Sequence, residues 1–187
     1  MIMEKFSNKV VFITGSSKGI GRAIAEEMLR KGARVVLNGR NRDVLEKTAD
    51  ELSGTGRELM QIPVDVSQPE AFSSALNQVM ERFGRLDILI LNAGLSSYGA
   101  VEKTSNTSLE QVIRVNTFGP FTGARIALPH IIASRGSIVF ISSLAGLHGI
   151  PYSSVYSMSK MALTALAQSL KTELTGKGVH IGIVYVG

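Results

Sequence analysis

The sequence contains no cysteine and no tryptophan among its 187 residues, and only 6% of its residues are aromatic. Without cysteine the chain has no disulfide and no thiolate metal site, and we predict no metal site of another kind. The core must therefore be built mainly from aliphatic side chains, within a hydrophobic content of 44%. This composition favours an α/β domain over a small disulfide-linked scaffold.

Long hydrophobic runs are also missing. No stretch approaches the roughly 20 apolar residues that span a bilayer, and residues 1–9 lack the apolar segment of a signal peptide. The net charge of +5 comes from scattered basic residues without a basic run or a basic helical face. We therefore predict a cytoplasmic protein that binds neither a membrane nor nucleic acid.

Short apolar runs alternate with longer stretches of helical spacing. Six runs predict buried strands, at residues 10–13, 35–37, 59–64, 86–91, 138–141 and 181–185. Five stretches predict helices, at residues 19–31, 42–52, 70–83, 109–133 and 153–174. Thr107-Ser108-Leu109-Glu110 fits a capping box that opens the fourth helix. The alternation is typical of a Rossmann-type, doubly wound parallel sheet with helices on both faces, and we expect the strand order 3-2-1-4-5-6.

The last predicted helix is apolar or small nearly all round, so it needs burial on two sides. Its apolar and small residues include Met158, Met161, Ala162, Leu163, Ala165, Leu166, Ala167 and Leu170. One side can face the sheet, and the other can face a second subunit or a further part of the same chain. We predict a homo-oligomer, either a dimer or a tetramer.

A glycine-rich loop separates the first strand from the first helix. Glycines there permit sharp turns and a close approach of backbone N–H groups to a pyrophosphate, and the helix N-terminus adds partial positive charge. The loop predicts a dinucleotide phosphate site at Gly15, Ser17, Lys18, Gly19, Ile20 and Gly21. An ordinary turn is the alternative for such a loop, and its position between strand and helix weakens that alternative.

The second strand leads into Asn38-Gly39-Arg40, where an acid would bind the ribose of NAD. No acid is present, and Arg40 and Lys18 offer positive charge for the 2'-phosphate of NADP. We predict NADP(H) rather than NAD(H). The alternative is that Arg40 is a solvated turn residue.

Two further segments follow predicted strands. Asp65 can accept a hydrogen bond from an adenine amino group, or it can cap the next helix. Asn92-Ala93-Gly94 offers small residues where the backbone has to pass close to a cofactor. Taken alone, this tripeptide is also compatible with an ordinary turn.

Tyr156 and Lys160 stand four residues apart and therefore share one helical face. A nearby ammonium lowers the pKa of a phenol, so the pair can supply an acid or a base near neutral pH. On spacing alone, an incidental surface pair is the more frequent explanation.

Polar residues also occur at two other positions of interest. Ser142 and Ser143 follow the fifth predicted strand, and one of the two hydroxyls can bind a substrate oxygen while the other caps the turn. Asn116 lies inside the fourth predicted helix, which is unfavourable unless its amide is used. With Gly119-Pro120 nearby, it predicts a functional kink.

Together these motifs resemble the short-chain dehydrogenase/reductase superfamily, and the resemblance covers essentially the whole chain. The ordered set comprises TGSSKGIG at residues 14–21, Asp65-Val66, LNAG at residues 91–94, Asn116, ISS at residues 141–143 and YSMSK at residues 156–160.

The resemblance implies a role for each candidate catalytic residue. Tyr156 would be the general acid and base, and Lys160 would lower its pKa and hold the nicotinamide ribose. Ser143 would orient the carbonyl, and it matches better than Ser142 because the family's serine stands thirteen positions before its tyrosine. Asn116 would position a water leading to Lys160. The family uses residues matching the glycine loop, Asp65, Val66, Asn92, Ala93 and Gly94 around the cofactor.

The resemblance makes residues 1–187 a single dinucleotide-binding and catalytic domain. It would transfer a hydride between NADP(H) and a ketone or secondary alcohol. Family members continue through a seventh strand after Pro-Gly, where this sequence has Val186-Gly187. We therefore expect the seventh strand to be absent and the domain to be C-terminally incomplete. A 3-oxoacyl-carrier-protein reductase and a non-catalytic NADP(H)-binding sensor are the alternatives.

Overall fold

The computed structural model describes residues 6–54 and 56–187. Residues 1–5, which belong to the N-terminal segment used above to predict a cytoplasmic protein, lie outside the described residues. The strands are β1 (Val10–Ile13), β2 (Arg34–Asn38), β3 (Leu59–Ile62), β4 (Ile88–Leu91), β5 (Ser137–Ser143) and β6 (His180–Val186). The helices are α1 (Gly19–Arg30), α2 (Arg42–Ser53), α3 (Pro69–Phe83), α4 (Asn106–Ile113), α5 (Gly119–Ser134) and α6 (Ser154–Glu173).

The six strands form one parallel sheet in the order β3-β2-β1-β4-β5-β6, which confirms the predicted order. The carboxyl ends of all six strands therefore lie at one edge of the sheet, and their amino ends lie at the opposite edge. The loops that carry the glycine-rich segment and Asn92 leave from the carboxyl edge, and Ser143 is the last residue of β5 at the same edge. Within the described ranges, no helix is both long enough and apolar enough to cross a bilayer.

Side chains of β1 point alternately into two cores, one on each face of the sheet. Val10 and Phe12 pack in the core that includes residues of α3, α5 and α6, and Phe12 stacks on Phe72 of α3 at 5.7 Å. Val11 and Ile13 pack in the core formed with α1 and α2. All four residues of β1 are fully buried, as expected of a central parallel strand. Helices on both faces of the sheet are thus confirmed.

A buried carboxylate joins β1 to β4 at the amino edge of the sheet. Asp87 accepts hydrogen bonds from the backbone N–H of Val10 at 3.0 Å and from Lys9 Nζ at 2.9 Å. It also accepts two from the guanidinium of Arg85, at 2.8 and 2.6 Å. Burial raises the pKa of Asp87, but the hydrogen bonds from Arg85, Val10 and Lys9 outweigh burial, and the pKa lies below its ordinary value.

The fourth predicted helix is the element that the sequence described least well. The prediction of one helix at 109–133 is wrong, because a π-helical turn, Arg114–Phe118, separates α4 from α5. Pro120 has no N–H and therefore cannot donate to the carbonyl of Asn116, so regular α-helical bonding fails there. The predicted capping box is also wrong, because the hydroxyl of Ser105 accepts the N–H of Ser108 at 3.2 Å and the helix begins at Asn106.

The fifth strand is longer than predicted. Ser142 and Ser143 do not follow β5 but form its last two residues, because they pair with Tyr185 and Val186 of β6. At the other side of the sheet, β3 ends at Ile62, directly before Pro63, which cannot donate a ladder hydrogen bond. The backbone of Ser143 is therefore held by the sheet itself.

Candidate active site

A cleft of about 410 Å³ lies at the carboxyl edge of the sheet, within the size range of cofactor sites. Most of the residues predicted to bind the cofactor line it. They are Gly15, Ser17, Lys18, Gly19, Ile20, Arg40, Asp65, Val66, Asn92, Ala93 and Gly94. The structure thus gathers residues from four loops around one elongated space.

The structure requires glycine for a different reason at each of the three glycine positions of the loop. Gly15 has a φ of +64°, and a methyl group there would lie 2.8 Å from the Cα of Ala93, so only glycine fits. Gly19 has a φ of +56°, and the space where its side chain would stand is open. Gly21 is not among the residues that line the cleft, and its role as a cofactor contact stays a prediction. A methyl group there would lie 2.5 Å from both Gly15 O and Asn92 Nδ2, so it is needed for packing beneath the loop.

The N-terminus of α1 opens onto the cleft. Lys18 is its N-cap residue, and its side chain makes no capping hydrogen bond. The first turn of α1 contains no acidic residue, and Gly19 and Ile20 both line the cleft. The unpaired N–H groups and the helix dipole therefore face a space that can hold an anion. This geometry fits a pyrophosphate.

Three polar side chains that sequence reasoning had not assigned hold the loop in shape. The hydroxyl of Thr14 accepts the N–H groups of Asn92 and Ala93, at 2.9 and 3.0 Å. Asn38 donates to the carbonyls of Ile62 and Val64, both at 3.0 Å. Ser16 is fully buried and bonds the backbone of Ile13 and Asn38. Polar residues at the ends of otherwise apolar strands were the signal in the sequence.

Asn92 acts in the same framework. Its side chain donates to the carbonyls of Thr14 and Gly15, both at 2.9 Å, so the amide shapes the loop from below. This arrangement leaves Ala93 and Gly94 to form the surface of the cleft beside it.

Two cations stand at the rim of the cleft. Lys18 and Arg40 are both exposed, and among the described residues neither forms an ion pair. Gly39 lies between them in space and chain, and a methyl group there would come within 3.0 Å of Ser17 Oγ. A larger residue at position 39 would therefore press on the loop.

Asp65 lines the cleft from the end of β3. Its carboxylate accepts the N–H of Ser67 at 2.9 Å, in the turn before α3. The N-cap residue of α3 is Gln68, so the alternative that Asp65 caps this helix is wrong. Val66, the next residue, is 7% exposed and also borders the cleft.

A second hollow of about 480 Å³ adjoins the cleft and shares Ile20, Asn92, Gly94 and Leu95 with it. Ser143 from the end of β5 and Tyr156 and Lys160 from α6 line this hollow. Three of the four predicted catalytic residues thus meet next to one end of the cleft. The sequence spacing had indicated only that Tyr156 and Lys160 share a helical face.

Lys160 is 4% exposed, and its Nζ donates to the carbonyl of Ile141 at 2.9 Å. Nζ lies 5.7 Å from the centre of the Tyr156 ring. Burial lowers the pKa of Lys160 from 10.5 to about 8. At neutral pH the side chain still carries its charge close to the phenol.

The two serines at the end of β5 are used differently. Ser142 is 3% exposed and donates to the carbonyl of Lys160 at 3.3 Å, so it fixes β5 against α6. Ser143 is half-buried, and its Oγ accepts the N–H of Ala145 at 3.2 Å. Its hydroxyl proton can therefore be directed towards a ligand, which favours Ser143 over Ser142 as the substrate-binding serine.

Asn116 is fully buried and lines neither space. Its amide bonds both backbone groups of Leu95, at 2.7 and 2.8 Å, and donates to Ser159 Oγ at 3.0 Å. A methyl group at Gly94 would lie 3.4 Å from Asn116 Oδ1 and 3.5 Å from Lys160 Nζ. Asn116 therefore ties the loop after β4 to the π turn, close to Gly94 and Lys160.

Comparison with protein families gives one match that spans nearly the whole chain, from residue 9 to residue 187, to the family described as short chain dehydrogenase. The chain belongs to the short chain dehydrogenase family. The members of this family are oxidoreductases. The match confirms the resemblance seen in the sequence.

Individual short chain dehydrogenases are similar over most of the chain. Versicolorin reductase stcU of Emericella nidulans is 36% identical over 184 residues, covering 98% of this chain and 70% of that protein. The curated relatives that match are covered to between 57% and 72% of their own length.

Solved short chain dehydrogenase structures superpose closely. A short chain dehydrogenase/reductase from Burkholderia phymatum in complex with NAD has a TM-score of 0.92 at 31% identity, covering 96% of this chain and 65% of that one. A metagenomic short-chain oxidoreductase in complex with NADP has a TM-score of 0.92 at 33% identity, covering 97% and 83%. Because these neighbours hold either cofactor, they support a nicotinamide dinucleotide at the cleft without favouring one form.

Proposed function

We propose that this chain forms a single dinucleotide-binding and catalytic unit that reduces a ketone, or oxidises a secondary alcohol, with NADP(H). The main support for the proposal is that Ser143, Tyr156 and Lys160 line one hollow, and that this hollow adjoins the dinucleotide cleft. The bound nicotinamide supplies or accepts the hydride. The side chains around the hollow bind the substrate and move the proton.

Tyr156 is the proton donor to the substrate oxygen in reduction and the proton acceptor in oxidation. The ammonium of Lys160, 5.7 Å from the centre of the Tyr156 ring, stabilises the phenolate. With its pKa lowered to about 8 by burial, Lys160 remains mostly protonated at pH 7. Its Nζ lies beside Gly94, which lines both the cleft and the hollow, so it can contact the ribose of the cofactor.

Ser143 donates a hydrogen bond to the substrate oxygen as negative charge develops on it. Asn116 acts through other residues and does not contact the substrate itself. Its amide holds the backbone of Leu95 and donates to Ser159 of α6, and through these contacts we propose that it positions a water that leads to Lys160. Asn116 is thus a positioning residue.

NADP(H) is the cofactor, because Arg40 and Lys18 can bind a 2'-phosphate at the rim, and residues 38–40, where β2 ends, contain no acid that would repel it. We expect Arg40→Ala to raise the Kd of NADPH about tenfold, the value of one lost charge-assisted hydrogen bond, and to leave the Kd of NADH unchanged. Arg42→Ala, which removes an exposed arginine two residues away, is the matched control. Unchanged NADPH affinity in Arg40→Ala would show that this assignment is wrong.

The test of the reaction is NADPH oxidation, followed by absorbance with a panel of ketones and 3-oxoacyl thioesters. Tyr156→Phe removes only the phenolic hydroxyl and should lower kcat about a hundredfold or more, the usual effect of losing a general acid. The Kd of NADPH should stay the same. Tyr185→Phe in β6 removes an equivalent hydroxyl that does not line the hollow, and it should keep full activity.

The outcomes separate the candidate functions. Turnover that is lost only in Tyr156→Phe supports the oxidoreductase, and the best substrate distinguishes a general ketone reductase from a 3-oxoacyl thioester reductase. Tight NADPH binding with no turnover by the unchanged chain would contradict catalysis and favour a sensor.

The same proposal includes self-association through α6 and the π turn, which pack side by side. Large apolar side chains are exposed on these elements and at the start of α5: Phe118 of the π turn at 61%, Phe121 of α5 at 50%, and Met158 and Met161 of α6 at 55% and 37%. A second copy would bury them. We expect a dimer or tetramer in sedimentation, and Phe121→Ser to weaken it. A monomer at micromolar concentration would contradict the proposal.

A further inference from the structure

Two loops beside the hollow carry exposed tyrosines that face each other. One loop runs on from Ser96, which lines the hollow, and carries Tyr98, 82% exposed. The other precedes α6 and carries Tyr152, 60% exposed. Their ring centres are 5.8 Å apart, and the ring planes are tilted by 44°. The N–H of Gly99 donates to the carbonyl of Tyr152 at 2.7 Å, so the backbone fixes the two loops together.

Tyr152 has a backbone conformation that favours glycine. The N–H of Ser153 donates to the carbonyl of Ile150 at 3.0 Å, which closes a turn with Pro151 and Tyr152 at its centre. Tyr152 has a φ of +61° at the second central position, where a side chain is strained. Strained residues of this kind concentrate at ligand sites, where the side chain they present is used.

The surroundings of the pair are apolar and uncharged. Residues 95–101 and 144–153 contain no lysine, arginine, aspartate or glutamate. Leu144, directly after Ser143, is 44% exposed, and a methyl group at Gly187, which lines the hollow, would lie 3.4 Å from its Cδ1. Leu147 is 55% exposed. Exposed leucines thus lie in the segment that follows Ser143, and neither this segment nor residues 95–101 contains these charged residues. Such a surface suits an uncharged substrate.

We propose that Tyr98 and Tyr152 bind an aromatic ring of the substrate, so that the preferred substrates are uncharged ketones or secondary alcohols that carry such a ring. This inference rests on the proposed oxidoreductase function and names its substrate class. Tyr152 lies four residues before Tyr156, and Tyr98 lies two residues after Ser96, which lines the hollow, so both loops lead from the pair to the hollow. A ring held at the pair can therefore belong to a substrate whose carbonyl is held at the hollow. Aromatic rings attract each other in tilted and offset arrangements more than saturated rings of equal size do.

The test compares benzylacetone with its counterpart in which the benzene ring is saturated to cyclohexyl. Two methylene groups separate ring and carbonyl in both ketones, so their intrinsic reactivity is the same and only the ring differs. We expect kcat/KM to be about threefold to tenfold higher for benzylacetone. The preference should fall below about twofold in Tyr98→Leu and Tyr152→Leu, which keep apolar area without a ring.

Tyr98→Phe and Tyr152→Phe are the matched controls, because they keep the rings and should keep the preference. Both tyrosines are exposed, so the leucine variants should fold, and their Tm is measured as a check. A purely structural role would lower the rates with both ketones equally and leave their ratio unchanged.

A second measurement does not depend on turnover. In Tyr156→Phe saturated with NADPH, calorimetry gives the Kd of each ketone, and we expect the same ratio in favour of benzylacetone. Equal Kd values for the two ketones, or a ratio that survives both leucine substitutions, would overturn the inference. Loss of all turnover in the unchanged chain, with the Kd ratio intact, would instead count against the proposed oxidoreductase function alone.

Discussion

The buried charge of Lys160 predicts a pH dependence of stability that can be worked out from the structure. The side chain is 4% exposed, and burial lowers its pKa from 10.5 to about 8. Between these two values the unfolded chain binds a proton that the folded chain does not bind. Stability therefore rises with pH across this window, is fully gained above pH 10.5 and is lost as the pH falls through 8.

The magnitude follows from linkage. The full difference between the two pKa values is worth about 3 kcal/mol, most of which is gained between pH 7 and pH 10. Lys160→Met keeps the apolar stem and removes the titrating group. Effects of this substitution that do not depend on pH cancel from the comparison.

The assay is urea unfolding at pH 7 and pH 10, with the Tyr156→Phe substitution present in every protein so that this phenol does not titrate. The unfolding free energy of the protein with Lys160 should rise by about 2 to 3 kcal/mol more than that of the Lys160→Met protein. Lys171→Met, which removes an exposed lysine in the last turn of α6, should change the pH dependence little. A difference below about 0.5 kcal/mol for Lys160→Met would refute the argument from burial.

Three further substitutions test other parts of the structure. Asp87→Asn leaves the cations of the amino edge without their carboxylate and should cost about 2 kcal/mol in urea unfolding at pH 7. Because the pKa of Asp87 is lowered in the fold, this difference should shrink as the pH falls below 3.8, and a constant difference would contradict it. Gly146→Ala places a methyl group 2.5 Å from Ser142 Oγ and should cost about 1–3 kcal/mol and lower kcat, whereas wild-type stability would argue against close packing there. Tyr152→Gly should raise the unfolding free energy by about 1 kcal/mol by relieving its positive φ, and a lower free energy would mean that the Tyr98 contact dominates.

Local patterns in the sequence were enough for most of the fold. Apolar runs flanked by polar residues predicted every strand, and β1 was predicted to the residue. Errors occurred where bonding partners are distant in sequence or where backbone bonding changes type. The end of β5 depends on its pairing with β6, and the division between α4 and α5 depends on the π turn at Arg114–Phe118. Asn116 and Pro120 had indicated an irregularity there but not its geometry.

The sequence by itself determined the alternation of strand and helix, the glycine loop and the shared face of Tyr156 and Lys160, because each depends on neighbours within a few residues. Only the tertiary structure decided which polar residues face the ligand space and which hold the frame. Ser142, Thr14 and Ser16 bond the backbone of the frame, whereas Ser143 borders the hollow that Tyr156 reaches from α6. These roles depend on contacts across the sheet between residues far apart in the chain, and no local pattern records such contacts.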